Sequence, residues 1–432
     1  MKKCDLDLVH LQLQHLPVNC RWAVADSSVL QAIARGEKVQ RGPAGRRLKR
    51  LVRIFTMLKI PYLLLFAVGF FELTRLLLRQ RNTADSLLRA PTEHMPAQYP
   101  AYFFVGFGAG SEEYLFDRYC VDRNAPVGRI DQTEPVSMMS WHSVGPMEGI
   151  SALFTSIALA RQAMKNLPEE CLPWKGDFLT FIGMRLGYFS YGFAWFSKIK
   201  EKAPHVEEVC FVSPDTLAFA AINSMLRTRF VQHGLIRHSL IFPEFDSVDA
   251  ITADEANHLR YRLPRAVVHL DSFPASSISA RYTACVLVAS FYGSNEEMLR
   301  VVPFLEHLAA KGLYIHVRPH PREDQSFWLR SVLSFDVVME DSNESFNAAI
   351  ERLRPSLLVS WFSTTLMEAL CSDTIPVSVS ALDDKNVADL VYPLFARCLH
   401  WPSQHEDLEV AMSSKNGYEN ILARLQSDVP VV

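Results

Sequence analysis

The sequence lacks the short motifs that identify many nucleotide-binding and metal-binding proteins. Its eight cysteines, in a chain of 432 residues, occur singly and form no C-x-x-C pair. That spacing disfavours a zinc site or a redox-active dithiol and predicts reduced, buried thiols in the cytosol. Neither G-x-x-x-x-G-K-S/T nor G-x-G-x-x-G occurs, because the glycines at 106, 108 and 110 depart from the second pattern. These absences argue against a P-loop nucleotidase and a dinucleotide-dependent oxidoreductase.

A strong charge of one sign is also missing. The formal net charge is -3 at pH 7, and 49% of the residues are hydrophobic. A chain of this length and composition can bury a large core and favours two or more domains. Because the chain has no general attraction to polyanions, nucleic acid is not an expected partner, and any anion recognition must come from local clusters.

The N-terminus has no long apolar core of the kind found in secretion signals, because Asp5 and Asp7 interrupt it. Five cations in residues 46–53 precede an apolar segment. The uncharged centre of that segment, residues 60–71, is twelve residues long, whereas a helix needs roughly 20 to cross a bilayer. We therefore expect residues 46–79 to attach the chain peripherally to the inner face of the plasma membrane. A buried core helix with a solvated basic flank is the alternative interpretation.

From about residue 100, short β-branched or aromatic runs alternate with helical segments, which is typical of parallel sheets covered by helices on both faces. The alternation pauses in a polar stretch near 265–282 and then restarts. We therefore predict an α/β protein with two doubly wound domains, 100–270 and 271–432, preceded by an N-terminal extension at 1–99. The predicted strands are 101–107, 206–212, 229–232, 285–290, 314–317, 335–339, 356–360 and 375–379, and the predicted helices are 146–166, 178–202, 295–310, 345–352 and 364–370.

Three polar loops follow predicted strands, at the sheet edge where open α/β folds bind ligands. The first places His233 before a glycine, the second is Arg318-Pro-His-Pro-Arg322, and the third has hydroxyl residues 363–365 at a helix start. Glycine permits close approach of the backbone to a ligand, and a helix start with hydroxyl groups suits a phosphate. Each loop also has an ordinary explanation as a rigid turn or a helix cap. Their conjunction in one chain favours a binding site.

The same loops resemble those of a known group of enzymes. The segments "VQHGL" at 231–235, "IHVRPHPRED" at 315–324 and "SWFSTTLMEAL" at 360–370 look like motifs of the GT-B glycosyltransferases of bacterial surface-polysaccharide assembly. The most similar patterns belong to CMP-sugar transferases (sialyl-, polysialyl- and Kdo-transferases) and to CDP-glycerol glycerophosphotransferases. The resemblance implies the GT-B fold, in which two Rossmann-like domains face a central cleft.

In those families a His-Pro pair and a Ser/Thr cluster bind the nucleotide phosphate of the donor in the C-terminal domain. The donor-binding residues that the resemblance implies here are His320, Pro321, Ser363, Thr364, Thr365 and Glu368. Among them, Glu368 would face the ribose of the donor. On charge and position we add Arg318 and Arg322 to this set.

The base that takes the proton of the acceptor is less well defined. CMP-sugar enzymes of this architecture use a carboxylate on an N-domain loop, which corresponds here to Glu112 or Glu113. Their motif has two acids followed by glycine, whereas Tyr114 follows here. His233 is an equal alternative, because the glycerophosphotransferases use the histidine of a similar His-Gly loop and imidazole titrates near neutrality. No D-x-D motif lies in a clear strand-loop context, so we expect a metal-independent mechanism without a cofactor.

These features predict a cytoplasmic, membrane-associated glycosyltransferase. By the resemblance, its donor is a CMP-linked acidic sugar such as sialic acid or Kdo, and its acceptor is a surface polysaccharide or a lipid-linked glycan. The alternatives are a CDP-glycerol-type glycerophosphotransferase, a nucleotide-sugar epimerase of the same fold, and a binding protein without catalysis. The expected partners are the nucleotide sugar, the glycan or glycolipid acceptor and the inner membrane surface.

Overall fold

The structure is a computed structural model and describes most of the chain. The described residues are 9, 12–87, 100–106, 110–132, 143–232, 236, 240–251, 253–270, 283–289, 295–319, 328, 333–342, 344, 346–360, 365–370, 372–379 and 398–426. Only the backbone is described at 34–35, 81–87, 110–114, 253–254, 295–298, 300, 347, 367 and 370.

The chain packs into two compact units, each with its own six-stranded sheet. The first unit comprises Met1–Gln232, His238–Asp249 and Leu259–His269, and the second comprises His233–Arg237, Ala250–His258 and Leu270–Val432. The first unit thus includes the N-terminal segment together with sheet A, and the second contains sheet B.

Sheet A is formed by β1 (Tyr102–Gly106), β2 (Val127–Asp131), β3 (Glu208–Phe211), β4 (Thr228–Val231), β5 (Ser247–Ala250) and β6 (Val267–Leu270), in the order β2-β1-β3-β4-β5-β6. The pairings of β1 with β2 and β3, of β3 with β4, and of β4 with β5 are parallel. The strand order reverses between β1 and β3. At such a switch point the loops beyond the strand ends diverge and leave a crevice for ligands.

The helices described from residue 18 to residue 262 include two short 3-10 helices, Val18–Val24 and Glu169–Trp174. The α-helices are α1 (Ser27–Arg35), α2 (Pro43–Met57), α3 (Pro61–Leu87), α4 (Gly110–Arg123), α5 (Pro146–Lys165), α6 (Lys175–Lys202), α7 (Thr216–Asn223) and α8 (Ala253–Arg262). Sequence signals set several of their ends. For example, Asp26 caps α1 by accepting from the backbone N–H of Ser28, and Gly36 ends it in the left-handed conformation.

α6 is the central helix of the first unit. It is apolar around most of its circumference, as expected of a helix that other elements cover on several sides. Its Phe189 stacks on Trp22 with ring centroids 4.2 Å apart, and its Trp195 meets Phe103 of β1 edge-on at 5.7 Å. All four rings are buried, and burying a large apolar side chain stabilises a fold by about 1.5–3 kcal/mol. α6 therefore joins the N-terminal segment to sheet A.

α3 packs closely against α5 and α6 through small residues. A Cβ at Gly69 of α3 would lie 2.7 Å from Leu186 and 2.9 Å from Leu153, and a Cβ at Gly187 of α6 would lie 2.6 Å from the Cβ of Glu72. Among the described residues, α3 contains the one stretch, Pro61–Gln80, whose length of 20 residues and mean hydropathy of 1.6 would suffice to cross a membrane. Its inner face is nonetheless part of the packed core of the first unit.

Sheet B is formed by β7 (Cys285–Ala289), β8 (Tyr314–Arg318), β9 (Val337–Met339), β10 (Leu357–Ser360), β11 (Ile375–Ser378) and β12 (Leu399–His400), in the order β12-β11-β10-β7-β8-β9. All five pairings are parallel. The helices described in this part are α9 (Asn295–Ala310), α10 (Phe346–Leu353), α11 (Thr365–Leu370), α12 (His405–Ser413) and α13 (Lys415–Gln426). The order reverses between β7 and β10, which makes this the switch point of sheet B.

The two faces of sheet B carry different cores. One face holds residues such as Val288, Val317 and Val359, which pack with the apolar side chains of α9, α12 and α13. The other face holds Leu287 and Leu358, which pack with α10 and α11. Successive residues of a strand point to opposite faces of the sheet. Once one residue is known to face one core, its neighbours in the strand must face the other.

The prediction of an α/β protein with parallel sheets is confirmed, and the predicted strands and helices occur with ends shifted by at most about three residues. The sequence interpretation missed some elements, namely the two 3-10 helices and β2, β5, β6, β12, α1, α4, α7, α8, α12 and α13. Most of these are short or carry charged residues, which weakens the periodic pattern on which prediction depends.

Replacing Gly187 by alanine tests the close packing of α3 on α6. The added methyl group meets Glu72 Cβ and, at 3.0 Å, the backbone nitrogen of Leu73, so we expect a loss of about 1–3 kcal/mol in the free energy of unfolding. Gly176→Ala in the same helix is the control, since nothing lies within 4 Å of its Cβ position and alanine favours helix by up to about 1 kcal/mol. Urea denaturation followed by circular dichroism measures both variants, and equal stability of the two would contradict the packing.

Candidate functional site

The strands of sheet B end on one level. In the parallel register the last residue of β7 pairs with that of β8, the last residue of β10 with that of β11, and the last residue of β11 with that of β12. Between β7 and β10 the last described pair is Val288 with Val359, and the final residue of each strand follows directly. We call this level the terminal row, and from β8 to β12 it consists of Arg318, Ala289, Ser360, Ser378 and His400. Because ligands of open α/β sheets bind beyond the carboxyl ends of the strands, the terminal row is the candidate site.

The terminal row is polar although it is buried. Ser360, Ser378 and His400 are each at most 3% exposed, whereas the interior of a parallel sheet is normally apolar. By alternation along the strands, the row points to the face that α10 and α11 cover. Among the described residues the Oγ atom of Ser360 has no hydrogen-bond partner. A buried hydroxyl without a partner is destabilising, so a ligand atom that accepts or donates there would bind favourably.

Arg318 places a cation at the β8 end of the terminal row. Its Nη2 donates to the carbonyl oxygens of Ser342, at 3.2 Å, and Glu344, and its guanidinium lies 6.0 Å from the ring centroid of Phe346. Its Nε is buried and has no partner among the described residues. Burial lowers the pKa of Arg318, and the charges of Glu368, Glu344 and Asp341 act in the opposite direction. The site therefore has a partly buried guanidinium with an unused donor.

An ion-pair network lies next to Arg318 and supports it. His316, two residues earlier on the same face of β8, contacts Glu340 Oε1 through Nδ1 at 2.7 Å. Arg352 of α10 reaches both Glu340 and Glu344, at 2.5 and 2.6 Å. Although burial alone would raise the pKa of Glu340, the hydrogen bonds from His316 and Arg352 lower it. The network fixes the segment whose carbonyl oxygens hold the Arg318 guanidinium.

Glu368 brings a titratable carboxyl group to the same side of the sheet. It lies on α11 and is partly buried. Burial raises the pKa of Glu368 from its ordinary value of 4.5 to about 7, even though the positive charge of Arg318 acts to lower it. The described ion pairs do not include one between Glu368 and Arg318, so the two groups interact at longer range. A carboxyl group that titrates near neutrality beside a cation is typical of functional sites.

The structure describes only part of the donor-binding set expected from the sequence. Arg318 and Glu368 share one electrostatic environment, and Thr365 is buried at the start of α11. The other expected donor contacts lie outside the described residues; they are His320, Pro321, Arg322, Ser363 and Thr364. Ser360 was not among the expected residues, although it ends a strand of the same motif.

The carboxyl edge of sheet A carries a second polar group of residues. Gln132 follows β2, its backbone N–H donates to Gly106 at 2.8 Å, and its carbonyl accepts from the hydroxyl of Tyr188 at 2.7 Å. The side-chain amide of Gln132 is buried and has no partner among the described residues. Burial raises the pKa of Tyr188 well above its ordinary value, so its hydroxyl stays protonated and can donate this bond.

Asp215 follows β3 at the switch point of sheet A and begins α7. Its Oδ1 accepts from the backbone N–H groups of Leu217, at 2.9 Å, and Ala218, at 3.4 Å. Burial raises the pKa of Asp215 to about 6, although these two hydrogen bonds and the charge of Arg185 lower it. A carboxylate with this pKa suits general-base catalysis. The strand–Ser-Pro-Asp-Thr sequence signals a helix cap, but burial of the cap cannot be read from the sequence.

Of the three bases expected from the sequence, the structure describes only the backbone of Glu112 and Glu113, and His233 lies outside the described residues. Glu112 and Glu113 belong by backbone to the first turns of α4, and His233 comes shortly after β4. Their roles stay predictions. Asp215 joins them as a candidate whose environment the structure does describe.

One group of described side chains has the spacing of metal ligands. His307 of α9 lies 2.8 Å from Glu409 Oε1 of α12, and His405 lies 3.3 Å from the same oxygen. Lys311 also pairs with Glu409 and supplies a positive charge to the carboxylate. Since α9 and α12 cover the other face of sheet B, this cluster is separate from the terminal row.

Compared with protein-family models and with curated proteins, the chain matches none.

Glu368 makes the stability of the second unit depend on pH. The folded state binds the Glu368 proton more tightly than the unfolded state does. Glu368 therefore contributes most to the free energy of unfolding at acid pH, and this contribution is lost as pH rises from about 4.5 to about 7. Glu368→Gln removes this titration. We expect the variant to gain about 1–3 kcal/mol over the natural protein between about pH 5 and about pH 8 in urea denaturation.

Glu351→Gln, an exposed position on α10, is the control for this pH series. Its stability relative to the natural protein should not change with pH. A Glu368→Gln curve parallel to that of the natural protein would show that the carboxyl group is ionised normally.

Proposed function

We propose that the chain is a glycosyltransferase with a GT-B arrangement, and that the terminal row of sheet B binds the phosphate of its nucleotide-sugar donor. One observation carries the proposal: Arg318 and Ser360 offer a buried guanidinium donor and a buried hydroxyl that lack partners among the described residues. The two flank Ala289, whose methyl group takes little space on that face. An oxygen-rich anion would satisfy both groups at once.

The chemistry of sugar transfer explains why such groups would be useful. When the glycosidic bond to the nucleotide breaks, negative charge develops on the departing phosphate. A fixed cation and a hydroxyl donor placed at that oxygen stabilise the charge, and each such donor is worth about 10²–10³ in kcat in other enzymes. Arg318 suits this role because its guanidinium is already held by two backbone carbonyl groups and needs little reorganisation.

Glu368 would interact with the donor in a protonation-dependent way. With a pKa of about 7, the carboxyl group can accept from a ribose hydroxyl when ionised and can donate when protonated. A phosphate bound nearby would raise the pKa further, because like charges disfavour ionisation. Donor binding would then take up a proton near neutral pH.

Proton transfer from the acceptor is assigned, within the same proposal, to the carboxyl edge of sheet A. Asp215 has the described environment of a base, and Glu112, Glu113 and His233 are the alternatives that the family resemblance supplies. The acceptor is a glycan or glycolipid hydroxyl, which has to lose a proton as the new glycosidic bond forms. The donor is CMP-linked by resemblance alone.

Two other activities fit a phosphate-binding row equally well. A CDP-glycerol-type glycerophosphotransferase would move glycerol phosphate and release CMP, and a nucleotide-sugar epimerase would need no acceptor. Incubation of the nucleotide sugar without acceptor separates the epimerase, because only that activity forms an epimer under these conditions. Product mass separates the two transferases.

Ser360→Ala tests the phosphate site with little disturbance to the fold. Thermal unfolding with CMP, CDP, UDP and GDP first identifies the nucleotide that binds, since a ligand of the native state raises the melting temperature. A hydrogen bond to a charged group contributes about 1.5–3 kcal/mol, so we expect Ser360→Ala to bind that nucleotide roughly 10-fold to 100-fold more weakly by calorimetry.

Without nucleotide, Ser360→Ala should be as stable as the natural protein or more stable, because the hydroxyl it removes has no described partner. Ser413→Ala, at an exposed position on α12, should change neither quantity. If Ser360→Ala binds nucleotide like the natural protein, the terminal row is not the phosphate site.

Asp215→Asn tests the base. Asparagine caps a helix as well as aspartate does, so α7 should keep its stability. As asparagine cannot take a proton, kcat should fall by about 10²–10⁴, while nucleotide affinity stays the same. Glu112→Gln, Glu113→Gln and His233→Ala form the comparison set, and the variant with the largest loss of kcat at unchanged affinity identifies the base. A fully active Asp215→Asn enzyme would exclude Asp215.

A further inference from the structure

α2 and α3, which follow each other in the chain, both expose large apolar side chains. Met57 is 78% exposed at the end of α2, and Phe71 is 72% exposed on α3, with Ile54, Leu58, Leu63 and Leu78 each at least half exposed. We call these residues, with the cations described next, the α2–α3 surface. Folded proteins rarely expose a large apolar patch unless it binds a partner or a membrane.

The α2–α3 surface is also strongly basic. On α2, Arg46, Arg50 and Arg53 recur at helical spacing and form one exposed stripe beside Met57. Arg47 and Lys59 are exposed as well. These five cations take part in none of the described ion pairs, whereas the more buried Lys49 pairs with Asp177. From residue 38 to residue 71 the sequence contains no acidic residue.

The apolar and basic stripes of α2 lie next to each other on its outer side. Leu51, Ile54 and Leu58 follow Arg47 at the same helical spacing, one position along from the arginine stripe. The inner side of α2 is fixed, because Gly45, Leu48 and Val52 are buried. A cationic stripe beside an apolar stripe is typical of a helix that lies in the interface of an anionic bilayer.

α3 extends the apolar part of the surface toward α5. Phe66 of α3 lies 5.2 Å, between ring centroids, from Phe154 of α5, which is 58% exposed. The opposite side of α3 is occupied by the core, since Leu65 and Leu73 are at most 1% exposed and Gly69 contacts Leu186. To cross a bilayer, α3 would have to leave this packing. It can instead present its outer side to lipid while it stays in the fold.

We propose that the α2–α3 surface binds the anionic face of a lipid bilayer, with α2 and α3 lying in the interface rather than spanning it. The apolar side chains enter the acyl boundary, and the five cations, which have no described ion pair, contact lipid phosphate and carboxylate groups. A second copy of the chain fits the surface poorly, because an isologous contact would bring two sets of cations together. This inference does not depend on transferase activity.

Vesicle sedimentation of the full chain tests the proposal. Vesicles of phosphatidylcholine with about 30 mol% phosphatidylglycerol should bind the natural protein, and pure phosphatidylcholine vesicles should bind it much more weakly. Each basic residue near an anionic surface contributes roughly fivefold, so Arg46→Gln/Arg50→Gln/Arg53→Gln should reduce partitioning about 100-fold. Binding should also fall as salt is raised, because charges near the surface are screened.

A double variant and a matched control test the apolar residues of the α2–α3 surface. Met57→Ser/Phe71→Ser should weaken binding to the anionic vesicles at least tenfold, while Val121→Ser/Met225→Ser should not change it. These control positions are equally exposed, at 78% each, and lie on α4 and after α7. Far-ultraviolet circular dichroism establishes that all variants are folded.

Four results would overturn the proposal. The first is equal binding to neutral and anionic vesicles, and the second is unchanged binding of the charge and apolar variants. The third is failure of alkaline carbonate to release the protein from membranes, which would mean that α3 spans the bilayer. The fourth is a dimer in light scattering that the apolar variant dissociates, which would identify a second copy of the chain as the occupant instead.

Discussion

Side-chain alternation along parallel strands constrains both the core and the candidate site of sheet B. Val288, Val317 and Val359 fill the face toward α9, α12 and α13, so the next residue of each strand must point to the other face. Those next residues are Ala289, Arg318 and Ser360. A slip of one residue in β8 would bury the Arg318 guanidinium among valines, which is far more costly than a lost hydrogen bond. The same register that closes the core therefore positions the polar row.

The elements that sequence analysis found are those with continuous apolar character. The strand Cys285–Ala289, for example, is almost entirely buried and is an unbroken hydrophobic run in the sequence. The missed strand Ser247–Ala250 is just as buried but carries Asp249. Asp249 is tolerated because Arg229 of the neighbouring strand pairs with both of its oxygens, at 2.7 and 2.9 Å. A contact between strands that are eighteen residues apart leaves no mark on local periodicity.

The candidate site also has features that were predictable from the sequence and features that were not. The carboxyl ends of β8 and β10 lie at one edge of sheet B, and this was predictable because the carboxyl ends of parallel strands share one edge. The protonation behaviour of the carboxyl groups in the candidate sites was not predictable from the sequence. The pKa values of Glu368 and Asp215 are set by how deeply folding buries each carboxyl group, and burial is a property of the assembled core. Ser360 escaped notice because a serine at the end of a strand is common, and only its missing partner distinguishes it.

α3 shows why the sequence left two interpretations of one segment open. A helix that is apolar on one side only reveals its buried face through its periodicity, whereas α3 is apolar on both sides and does not. The structure assigns each side a different neighbour: Leu65, Gly69 and Leu73 face the core, and Leu63 and Phe71 face outward. Since substitutions at exposed positions usually change stability little, the outer side is free to vary independently of the fold. The large exposed apolar residues, which lie beside cations with no described ion pair, are therefore not required by the packing of the first unit, and this is why we relate them to what the surface contacts.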